Sequence, residues 1–169
     1  MKTVTRRIVL SAMLAALVCV ATMLIQIPTP MKGYVNLGDC IVLLAGWLLS
    51  PVYGFLAAGF GSAMADMFSG YVVYAPATFV IKGAMALLAW VFRHRMRAHA
   101  TASHLLGGAL AELWMVIGYF LFEGFLYGFS ASVLNVPANA IQGAVGLSLG
   151  LILARIFKRN KKFFSGEQV

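Results

Sequence analysis

The chain is short of charge. Of its 169 residues only 11% are Asp, Glu, Lys or Arg, and only 5 of them are acidic. A soluble domain covers itself with about a quarter charged residues, so a soluble fold is excluded. Cysteine is sparse too. Cys19 and Cys40 stand within or beside apolar runs, with no C-x-x-C and no metal-ligand spacing, which leaves them as small core residues. Catalytic constellations are missing: there is no H-E-x-x-H, no G-x-S-x-G, no P-loop and no G-x-G-x-x-G. The chain therefore reads as neither an enzyme nor a cofactor or metal carrier, and it contains no ATPase motif of its own. His94, His99 and His104 gather beside arginines, where interfacial solvation accounts for them.

What is present is apolar, at 62% of residues and a mean hydropathy of +0.89. The net charge of +8 is not spread as a nucleic-acid-binding stripe with interleaved aromatics, so nucleic acid is excluded as a partner. Apart from Lys32 and Lys82, the 13 Lys and Arg residues gather at three places: Lys2/Arg6/Arg7, Arg93/Arg95/Arg97 and Arg155/Lys158/Arg159/Lys161/Lys162. Cytoplasmic loops of membrane proteins retain positive charge. The pattern predicts a multi-pass protein of a bacterial cell membrane with both termini in the cytoplasm. The N-terminus resembles a signal peptide, but the apolar run over 8–27 is about 20 residues, long enough to span the bilayer. No A-x-A cleavage site follows it.

The predicted fold class is all-α, a single integral membrane domain with six transmembrane helices over 6–27, 36–50, 52–68, 76–92, 104–125 and 135–157, then a short basic tail over 158–169. Pro28 and Pro30 end the first, Pro51 divides the second from the third, and Pro76 opens the fourth. An odd number of spans would place one basic cluster outside. The second and third are short for a hydrocarbon core of about 30 Å, which suggests tilt or burial against neighbours. Small residues recur at helix-packing spacing: Ala12/Ala16, Gly54/Ala58/Gly61/Ala65 and Gly146/Gly150. The last two stripes read as packing inside the bundle; Ala12/Ala16 is open between internal packing and an external partner helix.

Ionisable groups inside hydrocarbon cost about 2.5–3.5 kcal/mol each at a helix centre, so each needs a partner or a purpose. Lys82, Glu112 and Glu123 fall within predicted spans, and Asp39 and Asp66 near the outer ends of the second and third. Glu112, Tyr119 and Glu123 share one face of the fifth helix; Asn135, Asn139, Gln142 and Gly146 share one face of the sixth. With Lys82, these stripes can line an outward-facing cavity. Amides and a lysine would orient a polar heteroaromatic or carboxylated ligand, while Tyr34, Tyr71, Tyr74 and Tyr119 stack on it or hydrogen-bond to it. The bland alternative is that Lys82 pairs with Glu123 or Asp66 and the amides merely bridge helices. Asn135 can cap the sixth helix, and Asn36 with Asp39 can form a helix cap and first-turn acid.

The run Pro28 to Asp39 carrying G-Y-V-N-L-G-D, the run Asp66-x-x-x-Gly70-Tyr71-x-x-Tyr74-Ala75-Pro76 before Lys82-Gly83, Gly118-Tyr119-Phe120-x-x-Glu123, and Val136-Pro137-x-Asn139-x-x-Gln142-Gly143 together resemble the substrate-specific S components of energy-coupling factor (ECF) vitamin transporters. The resemblance covers the chain from about Ala12 to Gly150. It implies a six-helix vitamin-binding membrane protein that works with a transmembrane coupling subunit and two cytoplasmic ATPases. It further implies that Ala12 and Ala16 contact the coupling subunit, and that ligand is held on the extracellular side by Tyr34, Asn36, Asp39, Tyr74, Lys82, Tyr119, Glu123, Asn139 and Gln142. The pattern is most like the hydroxymethylpyrimidine or pyridoxine branch; riboflavin and pantothenate remain open, as does a self-sufficient secondary transporter. A bare lysine favours an anionic ligand, and Lys82 is expected to be neutralised by Glu123.

Overall fold

Proline and glycine punctuate the helices where the sequence places them. The computed structural model describes residues 2–29, 33–96 and 100–159. The first helix, α1 (Lys2–Leu24), gives way to an antiparallel hairpin, β1 (Gln26–Pro28) and β2 (Tyr34–Asn36), with Gln26 opposite Asn36 and Ile27 opposite Val35. The sequence reading carries this helix to residue 27. A residue before proline is driven to extended backbone, so Ile27 belongs to the hairpin instead. The Thr29 N–H donates to the Gly33 carbonyl at 2.9 Å within the same turn.

Next come α2 (Asp39–Leu48), α3 (Pro51–Phe68), α4 (Ala75–Arg95), α5 (Ala100–Tyr127), the single turn α6 (Phe129–Ser132), a 3-10 turn (Val133–Asn135) and α7 (Val136–Arg159). Pro51 and Pro76 both sit in first turns, where no intrahelical N–H bond is lost. At the end of α3, Gly70 takes a left-handed conformation (φ +85°) and the Tyr71 N–H returns 2.8 Å to the Asp66 carbonyl. This capping turn folds Tyr71 back over the end of α3.

The second span of the sequence reading is not a full one. At ten residues α2 is about 15 Å long, half the hydrocarbon thickness. Every residue from Asp39 to Trp47 is buried, packed among α3, α4 and α7. A helix enclosed on all sides needs no polar face, and after Asp39 this one carries only apolar residues and glycine. Trp47, Leu43, Leu44, Met85, Met115 and Val18 form the centre of the core. The carbonyl of Trp47, left over at the end of α2, accepts a hydrogen bond from the Arg93 guanidinium. Among the described residues, four helical segments are long and apolar enough to cross a membrane: Val4–Leu24, Ala75–Arg95, Thr101–Tyr127 and Phe129–Phe157.

The outer surface is apolar. Ile8, Val9, Met13 and Val20 on α1, Leu113 on α5 and Ile141 and Ile156 on α7 are all at least half exposed, as suits a surface facing lipid. Gly54, Ala58, Gly61 and Ala65 are buried, as are Gly146 and Gly150, whereas Ala12 and Ala16 lie exposed on α1. The helices run alternately up and down, so Arg6 and Arg7 at the start of α1, Arg93 and Arg95 at the end of α4 and Arg155 near the end of α7 share one end of the bundle. Lys32, Arg97, His99, Lys161 and Lys162, together with the tail from 160 on, lie outside the described residues.

Candidate functional site

At the opposite end from the arginines, four parts of the chain converge on a cavity of about 380 Å³, partly open to the outside. The hairpin contributes Thr29, Gly33, Tyr34 and Asn36. The end of α3 and the start of α4 contribute Asp66, Tyr71, Tyr74 and Thr78. From α5 come Tyr119 and Glu123, and from α7 Asn139 and Gln142. Of the residues picked from sequence, Tyr34, Asn36, Tyr74, Tyr119, Glu123, Asn139 and Gln142 are brought together. Asp39 and Lys82 are not in the wall.

Behind the wall those two form an ion pair with each other, both almost wholly buried. The expected partner of Lys82 was Glu123 or Asp66; the structure gives it Asp39 instead. The reason is geometric: α2 crosses α4 so closely that a Cβ on Gly46 would stand 2.3 Å from the Ala86 carbonyl oxygen. That crossing sets the first residue of α2 against the second turn of α4. Asp39 keeps its expected place in the first turn of α2, but it is wholly buried and its carboxylate is met by Lys82. Its second oxygen, Oδ2, accepts a hydrogen bond from Gln142 Nε2 at 2.6 Å, and Gln142 Oε1 accepts one from the Asn36 N–H at 2.9 Å. A relay thus runs from Lys82 through Asp39 and Gln142 to the hairpin. Lys82 Nζ also lies 5.5 Å from the Tyr119 ring centroid, within cation–π range.

The remaining wall is organised around two carboxyl groups. Tyr34 donates its hydroxyl to Asp66 Oδ1 at 2.6 Å, and Asn135 Nδ2 donates to Glu123 Oε1 at 2.9 Å, with the Tyr74 hydroxyl at 3.4 Å from the same oxygen. Asn135 is thereby a support for Glu123 and does not cap the sixth span. Asn36 likewise makes no side-chain cap to α2; its Oδ1 accepts the Gly38 N–H at 2.9 Å. Burial, and then the charge of Asp66, raise the Tyr34 phenol above its ordinary value, so it stays a donor. The Thr78 and Tyr119 hydroxyls are 3.0 Å apart. Tyr34 and Tyr71 pack with ring centroids 4.7 Å apart and Tyr74 stands edge-on to Tyr71 at 6.4 Å, giving one aromatic side to the cavity.

The sequence reading leaves out Thr29, Asp66 and Thr78 as direct contacts. Two signals point to Thr78 and Asp66, and none to Thr29. Tyr74, Thr78 and Lys82 repeat at i, i+4, i+8 on one face of α4, and Gly70 marks the turn that brings Tyr71 over Asp66. Glu112, deeper on α5, is 6% exposed, and neither of its carboxyl oxygens has a hydrogen-bond partner among the described residues. It faces Gly143 and Gly146 on α7; a Cβ on Gly146 would lie 3.0 Å from Glu112 Oε1 and 2.7 Å from Asp39 Cβ. No group of three or more metal-ligating side chains occurs among the described residues.

A family model described as "ECF-type riboflavin transporter, S component" matches residues 2–159. The chain is 36% identical over 143 residues to a Pyrococcus woesei protein named "Uncharacterized protein in gap 3'region", covering 84% of this chain and 95% of that one. It is 26% identical over 160 residues to the thiamine precursor transporter HmpT of Lactococcus lactis subsp. cremoris, covering 91% of this chain and 89% of the relative. Its fold matches, with a TM-score of 0.77 and 25% identity over 94% of this chain and 98% of the other, a chain solved under the heading "Structure and mechanism of the S component of a bacterial ECF transporter".

Proposed function

The chain belongs to the S-component family of ECF-type riboflavin transporters, and from that premise we propose that it captures a small water-soluble vitamin or precursor of the pyridoxine or hydroxymethylpyrimidine type on the extracellular side. Delivery inward then requires a transmembrane coupling subunit and two cytoplasmic ATPases, because this chain has no P-loop. The observation that carries the reading is the convergence of polar and aromatic side chains from the hairpin, α3–α4, α5 and α7 on one cavity. The positive-inside rule turns the arginine-bearing end of the bundle to the cytoplasm, so this cavity opens outward.

The relative HmpT is named for a thiamine precursor, and that name favours the hydroxymethylpyrimidine type. Riboflavin is the second reading, favoured by the description of the family model. Tyr34, Asn36, Tyr74, Tyr119, Glu123 and Asn139 would touch the ligand; Gln142, with Asp39 and Lys82 behind it, would hold the wall in shape. Ala12 and Ala16, small and exposed on α1, would receive the coupling subunit. The test is to purify the chain in detergent, identify any co-purified small molecule by mass spectrometry, and titrate with hydroxymethylpyrimidine, pyridoxine, riboflavin and pantothenate. One-to-one binding of a single-ring compound is expected, with no sustained uptake into liposomes by this chain alone. Uptake driven by a proton or sodium gradient without other proteins would overturn the reading.

A further inference from the structure

We infer that the cavity is an acceptor-lined, anion-excluding site whose ligand presents N–H donors to Asp66 and Glu123: an amino-substituted nitrogen heterocycle, neutral or cationic. This rests on the reading of the cavity as the ligand site. It is carried by the uneven satisfaction of those two carboxyl groups. Each has one oxygen held by protein donors, Tyr34 on Asp66 Oδ1 and Asn135 on Glu123 Oε1. Among the described residues each leaves its other oxygen, Asp66 Oδ2 and Glu123 Oε2, without a hydrogen-bond partner. Both side chains line the cavity, yet the residues are only 4% and 3% exposed.

A buried acceptor left bare carries a desolvation penalty that a ligand N–H can remove. Behind the wall, Asn135 Oδ1, on the residue that supports Glu123, is a further buried acceptor without a partner among the described residues. Among the described residues no Lys, Arg or His lines the cavity, and Lys82, behind the wall, is engaged by Asp39. A carboxylate or phosphate ester would meet two further acceptor groups, whereas an exocyclic amine beside a ring nitrogen offers the directed donors that the bare oxygens lack.

The experiment is calorimetric titration of the full chain in detergent with four probes: 4-amino-5-hydroxymethyl-2-methylpyrimidine, its 4-oxo analogue, pantothenate and pyridoxal 5′-phosphate. The amino compound is expected to bind about tenfold or more tighter than the 4-oxo compound, as loss of one hydrogen bond to a charged group implies, with the two anions weaker still. Asp66→Asn and Glu123→Gln, near-isosteric and uncharged, should each lower affinity for the amino compound about tenfold to a hundredfold and shrink its advantage over the 4-oxo analogue. Thermal melts confirm that the variants remain folded. Equal binding of amino and oxo probes, or tight binding of either anion, whether or not it depends on Lys32, overturns the acceptor rule but leaves a ligand site. Absence of binding by every probe removes the ligand site as well.

Discussion

Individual residues divide into those that touch the cavity and those that hold its wall, and substitutions should separate them. Asn139 lines the cavity and Asn139→Ala is expected to weaken ligand binding by about 1–3 kcal/mol while leaving the melting temperature nearly unchanged. Gln142 makes hydrogen bonds to both Asn36 and Asp39, so Gln142→Ala should lower affinity and stability together. Lys82→Met leaves the Asp39 charge buried and unpaired, a loss of about 3–5 kcal/mol in comparable sites. Adding Asp39→Asn should restore most of it, read as thermal unfolding in detergent; a single variant as stable as wild type would contradict the pairing. Glu123, Asn139 and Gln142 were legible from sequence because hydrocarbon leaves a polar side chain few places to be. The Lys82–Asp39 pair was not, since it joins residues 43 apart in sequence through a helix crossing that no local pattern encodes.

The helices themselves carry a second set of expectations. Proline positions gave most boundaries to within a few residues, and the polar faces of α5 and α7 turn inward as their spacing indicates. The hairpin over residues 26–36 and the one-turn α6 escaped because three or four residues show no measurable periodicity. Burial puts Gly54, Ala58, Gly61, Ala65, Gly146 and Gly150 inside the bundle and leaves Ala12 and Ala16 on its outer surface. Gly146 meets Asp39 and Glu112 at distances that leave no room for a methyl group, so Gly146→Ala should destabilise by about 1–3 kcal/mol through overpacking. Ala12→Trp and Ala16→Trp fill no internal space. They should spare ligand binding yet abolish uptake in a reconstituted transporter, and unchanged transport would remove the proposed coupling contact.

At the scale of the molecule, class and overall architecture followed from scarcity of charge and the clustering of what charge there is. Six full spans did not: α2 is too short to cross, and its enclosure is a property of the assembled bundle. Orientation can be tested directly, because both termini should report the cytoplasm in reporter fusions or protease-protection assays; opposite sides for the two ends would rule out the alternation of helices proposed here.

The shortness of α2 also bears on how the protein is made. Ten residues offer an insertion machinery too little apolar length to hold in isolation, so α2 must enter the bilayer together with α3 as one looped unit. Until α4 emerges from the ribosome, Asp39 has no counter-ion. A nascent chain whose emerged part ends before α4 should therefore leave its α2–α3 segment protease-sensitive, and one long enough to expose all of α4 should protect that segment.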